Sequence, residues 1–246
     1  MAIRAVWASG AARALSGGVA VVLTLLLSGC PEAVTGPDKA TRLLFTIQPT
    51  STVAGLPITP AVQVTAHDAR GNPAASFTGN VTVALGTNPA GGTLSGSTTV
   101  AAVAGIATFP ALSVNKSGSG YALTATASGL SGATSATFGI TPGPPTQLAF
   151  TVQPSGTAAG ASITPALQIV ARDAQGNTVP SFTGVVTLAL ETNPAGGTLS
   201  GTTSVAAVAG VATFSTLSID RVGSGYTLSA AAAGLTGATS TPFDIN

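Results

Sequence analysis

From residue 41 onward, apolar side chains occupy every second position in short runs, separated by breaks rich in glycine, proline and asparagine. Leu43, Phe45 and Ile47 share one phase, as do Val62, Val64 and Ala66, and Val81, Val83 and Leu85. The pattern continues with Ala107 and Phe109, with Tyr121, Leu123, Ala125 and Ala127, and with Phe138 and Ile140. The positions between are mostly Thr, Ser, Gln and Ala. A period of two sends alternate side chains to opposite faces of a strand, so each run predicts a half-buried β-strand. Turn chemistry lies between the runs at 68–72 (DARGN), 88–92 (NPAGG) and 117–120 (SGSG). Six or seven short strands in about 100 residues, punctuated at regular intervals, predict an antiparallel β-sandwich.

The pattern runs twice. Residues 41–141 align without a gap to 146–246 at an offset of 105, with roughly 64 of 101 positions identical. The string TNPAGGTLSG stands at 87–96 and again at 192–201. Between the copies lies 142–145 (PGPP), a semi-rigid linker biased toward extended polyproline geometry. A unit of about 100 residues can enclose its own core, so the expected organisation is two domains, 41–141 and 146–246, rather than a solenoid. Tyr121 and Tyr226 each open a strand after Gly-Ser-Gly. That placement suits a tyrosine corner, with the ring in the core and the hydroxyl bonded back to the backbone.

Residues 1–29 follow a different rule. Arg4 and Arg13 precede an apolar run at 18–27 (GVAVVLTLLL). The run is too short for a bilayer core of ~30 Å. It ends in Leu27, Ser28, Gly29 and Cys30, which resembles the lipobox of bacterial lipoproteins: an apolar residue, two small residues, then cysteine. The resemblance implies a lipoprotein signal peptide over 1–29, cleavage before Cys30, and acylation of its thiol. Two or more acyl chains hold a protein stably on a membrane. Residues 30–40 are then the lipidated cysteine and a tether that extends at most ~35 Å. The expected location is outside the cytoplasm on a bacterial membrane, the outer membrane before the inner, with either a periplasmic or a surface face. An ordinary signal peptide with an incidental cysteine and an uncleaved anchor are the alternatives.

Residues 62–72 (VQVTAHDARGN) and 105–129 (GIATFPALSVNKSGSGYALTATASG) resemble the bacterial Ig-like repeats of the invasin/intimin type. Those repeats share a D-x-x-G-N turn and a G-x-A-x-F … G-x-Y-x-L-x-A run. The second copy repeats both, at 173–177 and 210–230. The resemblance spans about 200 residues and implies an all-β fold of two tandem Ig-like antiparallel sandwiches. For function it implies adhesin stalks, cell-surface spacers or accessory domains of enzymes.

Composition narrows the chemistry. Only 6% of residues are Asp, Glu, Lys or Arg, with a net charge of +1, against about 25% in an ordinary soluble domain. Mean hydropathy is +0.52. Strands with Ala and Val inside and Thr, Ser and Gly outside account for that value, together with the apolar leader. So few charges form no basic footprint for nucleic acid. One Cys and one His build neither a disulfide framework nor a Cys/His metal site.

The duplication provides an internal control, because a structural residue tends to recur in both copies while an active site belongs to one. The aromatics after the leader pair completely: Phe45/Phe150, Phe77/Phe182, Phe109/Phe214, Tyr121/Tyr226 and Phe138/Phe243. They read as core rather than as a carbohydrate platform. His67 pairs with Arg172 and lies in the phase opposite Val64 and Ala66, so it is expected to face solvent. Asp68 and Asp173 recur, each alone in its D-x-x-G-N turn. There Asp satisfies backbone donors while Gly71 and Gly176 take positive φ; calcium, which wants six to eight clustered oxygens, is the weaker reading. Charge differs between the copies. Arg42, Arg70 and Lys116 oppose Asp68 in the first; Arg172 and Arg221 oppose Asp173, Glu191, Asp220 and Asp244 in the second. Opposite signs could favour contact between domains or head-to-tail association, but with so few charges drift is the better explanation.

The expectation is a non-catalytic, lipid-anchored envelope protein without cofactor or metal, acting as an Ig-like spacer and adhesion or interaction module. Its partners are the membrane, through Cys30, and a protein or glycan not named by the sequence, with no nucleic acid. A carbohydrate-binding or enzyme-accessory module, and a fragment of a larger surface adhesin, are the alternatives.

Overall fold

The computed structural model describes residues 39–246, which fall within one compact unit, Pro37–Asn246. Leu27, Ser28, Gly29, Cys30 and most of the tether lie outside the described residues. Among the described residues every regular element is a β-strand, and no helix is long and apolar enough to cross a membrane.

The first copy contains β1 (Arg42–Ile47), β2 (Thr52–Val53), β3 (Val62–His67), β4 (Asn80–Thr87), β5 (Leu94–Ser95) and β6 (Thr99–Ala101). It continues with β7 (Ile106–Phe109), β8 (Ser113–Val114), β9 (Gly118–Thr126), β10 (Ala133–Thr134) and β11 (Phe138–Thr141). The second copy contains β12 (Gln147–Val152), β13 (Leu167–Arg172), β14 (Val185–Thr192), β15 (Leu199–Ser200) and β16 (Ser204–Ala206). It ends with β17 (Val211–Phe214), β18 (Ser218–Ile219), β19 (Gly223–Ala231), β20 (Ala238–Thr239) and β21 (Phe243–Ile245).

Each copy is a sandwich. In the first, the sheet β1-β3-β7 faces the sheet β2-β11-β9-β4-β6, with β10 added beside β9. All pairings are antiparallel except β2 with β11. The second copy repeats this as β12-β13-β17 against β16-β14-β19-β20, with β21 also on β19. The irregularities are duplicated too. The β1/β3 register slips between Phe45 and Ile47, and β12/β13 slips between Phe150 and Val152. A second slip lies between Leu85 and Thr87 and again between Leu190 and Thr192. Slips of this kind increase strand twist, which lets two small sheets wrap one core.

Each copy has its own core. In the first it includes Leu43, Val64, Val83, Phe109, Leu123 and Phe138; in the second, Leu148, Ile169, Leu188, Phe214, Leu228 and Phe243. Tyr121 and Tyr226 are fully buried. Their hydroxyls donate to the carbonyls of Lys116 (2.8 Å) and Arg221 (2.9 Å), five residues upstream. Their rings lie 5.9 Å from Phe138 and 6.2 Å from Phe243. Burial pushes the Tyr121 phenol above its ordinary pKa.

One expectation requires correction: His67 does not face solvent. It is only 9% exposed, because β3 is the middle strand of its sheet and from Val64 to His67 is covered on both faces. The turn after β3 folds back over the ring, and Nδ1–H donates to the Gly71 carbonyl at 2.9 Å. Nε2 is buried without a hydrogen-bond partner among the described residues. Alternation fails as a guide here, since it assumes one face of the strand is wet.

Candidate functional site

The two D-x-x-G-N turns have the same internal chemistry. Asp68 Oδ1 accepts the N–H groups of Arg70 (2.9 Å) and Asn72 (2.8 Å), and Oδ2 accepts Asn72 Nδ2 (3.2 Å). Asp173 Oδ1 accepts those of Gln175 (3.0 Å) and Asn177 (2.8 Å), and Oδ2 accepts Asn177 Nδ2 (2.9 Å). Gly71 and Gly176 close the turns at φ +93° and +77°, a region that disfavours any side chain.

Their surroundings differ. Both aspartates are buried, Asp68 to 2% and Asp173 to 0% exposure, but Asn177 is 6% exposed where Asn72 is open, because the second turn is pressed against the trailing end of the first domain. Asn177 Oδ1 accepts the Ser117 N–H (3.1 Å), and its Nδ2 donates to the Asn115 carbonyl (3.0 Å). The linker joins in, since the Gly143 N–H donates to Asp173 Oδ2 at 2.9 Å. Gln175 lies over Gly55 of the first domain, so closely that a Cβ there would meet Nε2 at 2.6 Å. Desolvation pushes the Asp173 carboxyl up, but the hydrogen bonds from the Asn177 side chain and from the Gly143, Asn177 and Gln175 amides outweigh it. The net result holds its pKa below the ordinary aspartate value. Four N–H donors converge on two oxygens, which leaves no lone pair directed at a cation. Among the described residues, no three His, Cys, Asp or Glu side chains gather into a metal-holding group.

These residues form an interdomain joint, built from side chains on the second domain and backbone atoms on the first. The sequence reading singled out Asp173 and Gly176 but missed Asn177, Asn115, Ser117 and Gly143 as a set. The available signal was the four-residue linker, which leaves the leading turn of one copy no room to stand away from the trailing loop of the other.

The turns at 88–92 and 193–197 close on themselves. Asn88 exchanges hydrogen bonds with Gly92, at 2.7 Å to its N–H and 2.8 Å to its carbonyl. Asn193 does the same with Gly197. Tyr121 and Tyr226 lie in the two cores, and the Tyr121 hydroxyl holds the Lys116 carbonyl within the 115–117 loop that the joint uses.

No protein-family model and no curated protein sequence matches this chain. Solved structures similar to it include a β-glycosidase from Bacteroides vulgatus, at 12% identity and a TM-score of 0.38 over 84% of this chain and 25% of that one. The adhesin InvE of Yersinia pseudotuberculosis is similar at 18% identity and 0.36, over 83% and 58% of the two chains. The Escherichia coli adhesin FdeC is similar at 18% identity and 0.36, over 85% and 64%. The chain therefore spans a quarter of the glycosidase and less than two thirds of either adhesin.

Proposed function

We propose that this chain is a non-catalytic, lipid-anchored protein of the bacterial cell envelope whose two Ig-like sandwiches serve as a stiff spacer and interaction module. Acylated Cys30 holds it to the membrane, and the tether leads into the first sandwich. The partner presented at the far end is a protein or a glycan.

The joint is the observation that supports the spacer reading. A linker with three prolines in four residues restricts the hinge. Asn177 then bonds two backbone atoms of the neighbouring domain with its buried amide. Domains connected this way keep one relative orientation, which a spacer needs and a loosely hinged pair lacks.

Spin labels on Val103→Cys and Val208→Cys test it, since both valines are exposed and no cysteine follows Cys30. One narrow distance distribution is expected; a broad one removes the spacer. Separately, Cys30→Ala is expected to abolish acyl labelling and release the protein from membranes, and continued retention rules out the anchor.

A further inference from the structure

The two sandwiches and the linker enclose an open cleft of about 350 Å³ beside the joint. Ser51, Ser117 and Ser119 of the first sandwich line it on one side, and Thr178 and Pro180 of the second on the other. Thr141 and Pro142 line it where the first sandwich passes into the linker. Among the described residues around it none is charged and none is aromatic. The cleft is a neutral space bounded by hydroxyls and proline rings.

Comparison of the copies ties this chemistry to the joint. Ser51 corresponds to Gly156, Ser117 to Val222 and Thr178 to Pro73. At each of these positions a hydroxyl stands where the other copy has none. Pro180 corresponds to Ala75, and Gly139, which also lines the cleft, corresponds to Asp244. The carboxylate of the second copy is therefore missing from the one place where it would meet this space.

The hydroxyls also have capacity to spare. Ser51 Oγ accepts the Gly139 N–H at 2.8 Å, which leaves its own proton to donate. Thr141 Oγ1 donates to the Thr52 carbonyl at 3.4 Å, a long and weak bond. Among the described residues, the hydroxyls of Ser117, Ser119 and Thr178 make no hydrogen bond. The frame that carries them is nonetheless fixed. The Ser117 N–H is fastened to Asn177 Oδ1 at 3.1 Å, and Pro142 and Pro180 have φ set by their rings. A cleft of set shape has little to order when it is filled.

A hydroxyl both donates and accepts, so an array of them matches a ligand whose own groups are neutral and do both. An ion would lose its hydration here without meeting a counter-charge. The proline rings add apolar surface that the C–H face of a sugar ring can cover. We infer that this cleft binds a neutral mono- or disaccharide unit, held by Ser51, Ser117, Ser119 and Thr178 and touching both sandwiches at once. No aromatic ring offers a stacking platform, so the Kd is on the order of 1 mM. Because the ligand bridges the two domains, it braces the joint. The inference depends on the geometry of the joint, and neither on the membrane anchor nor on what the far end meets.

The unit 37–246, labelled with nitrogen-15, is titrated through the millimolar range with maltose, cellobiose, lactose and diacetylchitobiose, and separately with glycerol. At least one disaccharide is expected to move the amide signals of Ser117, Gly118 and Thr178 together and to saturate them. Ser117→Val with Thr178→Pro gives each position the residue of the other copy and is expected to weaken binding about tenfold. Ser119→Ala is expected to weaken it about fivefold, the worth of one hydrogen bond. Thermal melts establish that the variants fold, and Ser119→Ala carries the test if the double variant does not. Three outcomes overturn the proposal: no disaccharide moves these signals, glycerol moves them as strongly, or the folded variants bind as tightly as the parent.

Discussion

The turns at 68–72 and 173–177 agree at four of five positions and make the same internal hydrogen bonds, yet the asparagine of one is buried in a joint between domains and that of the other is exposed. The motif determines the turn, and what stands opposite determines its use. Burial adds two bonds from Asn177 to backbone atoms of the first domain, and one from the linker to Asp173. Among the described residues, Asn72 makes no such bonds. Duplication therefore isolates the joint: any property that follows the second turn and spares the first belongs to the contact between domains.

The largest expected effect is that of Asp173→Ala. It strands the Gly143, Gln175 and Asn177 amides in a dry place, at about 3 kcal/mol in total. Asp68→Ala is expected to cost its own domain a comparable amount, since Asp68 anchors its turn in the same way. The two separate on a second readout. Only Asp173→Ala should broaden the distance between labels at positions 103 and 208, and an unchanged distribution would show that the carboxylate plays no part in the joint.

Asn177→Ala against Asn72→Ala is a cleaner contrast. The first leaves the Ser117 N–H and the Asn115 carbonyl without partners and should cost about 2 kcal/mol. The second removes an exposed side chain and should cost about 0.5 kcal/mol. Equal costs in thermal unfolding would mean that the cross-domain bonds contribute nothing net.

Acid offers a milder way to open the joint. Asp173 has its pKa lowered in the folded protein, so its contribution is fully present above the unfolded aspartate value of about 3.9 and is lost as pH falls through the lower folded value. The second domain should therefore lose stability on acidification below about pH 4. Asp173→Asn should flatten that dependence over the same range, and an equally steep acid transition in the variant would assign the effect elsewhere.

Much of the sandwich was legible because its central cue is local. In β1 and β4 the buried positions alternate with exposed ones, as a sheet with one wet face demands. In β3 the cue fails, because a middle strand covered on both faces buries Thr65 and His67 along with its apolar residues. Two-residue strands such as β5 and β8 are too short to show any period; they exist because they pair with each other across the fold. The site was less legible still. Comparing copies marked Asp68 and Asp173 as equivalent, which is true of their turns and blind to their surroundings. What distinguishes Asn177 from Asn72 is the presence of another domain four residues upstream, and pattern within a repeat carries no record of that.

The finest test of the comparison uses a pair of glycines. Gly55 and Gly160 both have positive φ, +80° and +76°, so Ala at either position should cost about 1 kcal/mol from the backbone alone. A Cβ on Gly160 would meet nothing within 4 Å, whereas one on Gly55 would meet Gln175 Nε2 at 2.6 Å and Cδ at 2.9 Å. The contacted atoms are the far end of a flexible side chain, which can swing away. The extra cost at Gly55 is thus only the lost packing of Gln175, about 0.5 kcal/mol. That increment should vanish when both glycine variants are remade with Gln175→Ala, because the mutant cycle then removes the shared contact. If the increment persists in that background, Gly55 is strained by its own domain, and Gln175 does not help to hold the two sandwiches together.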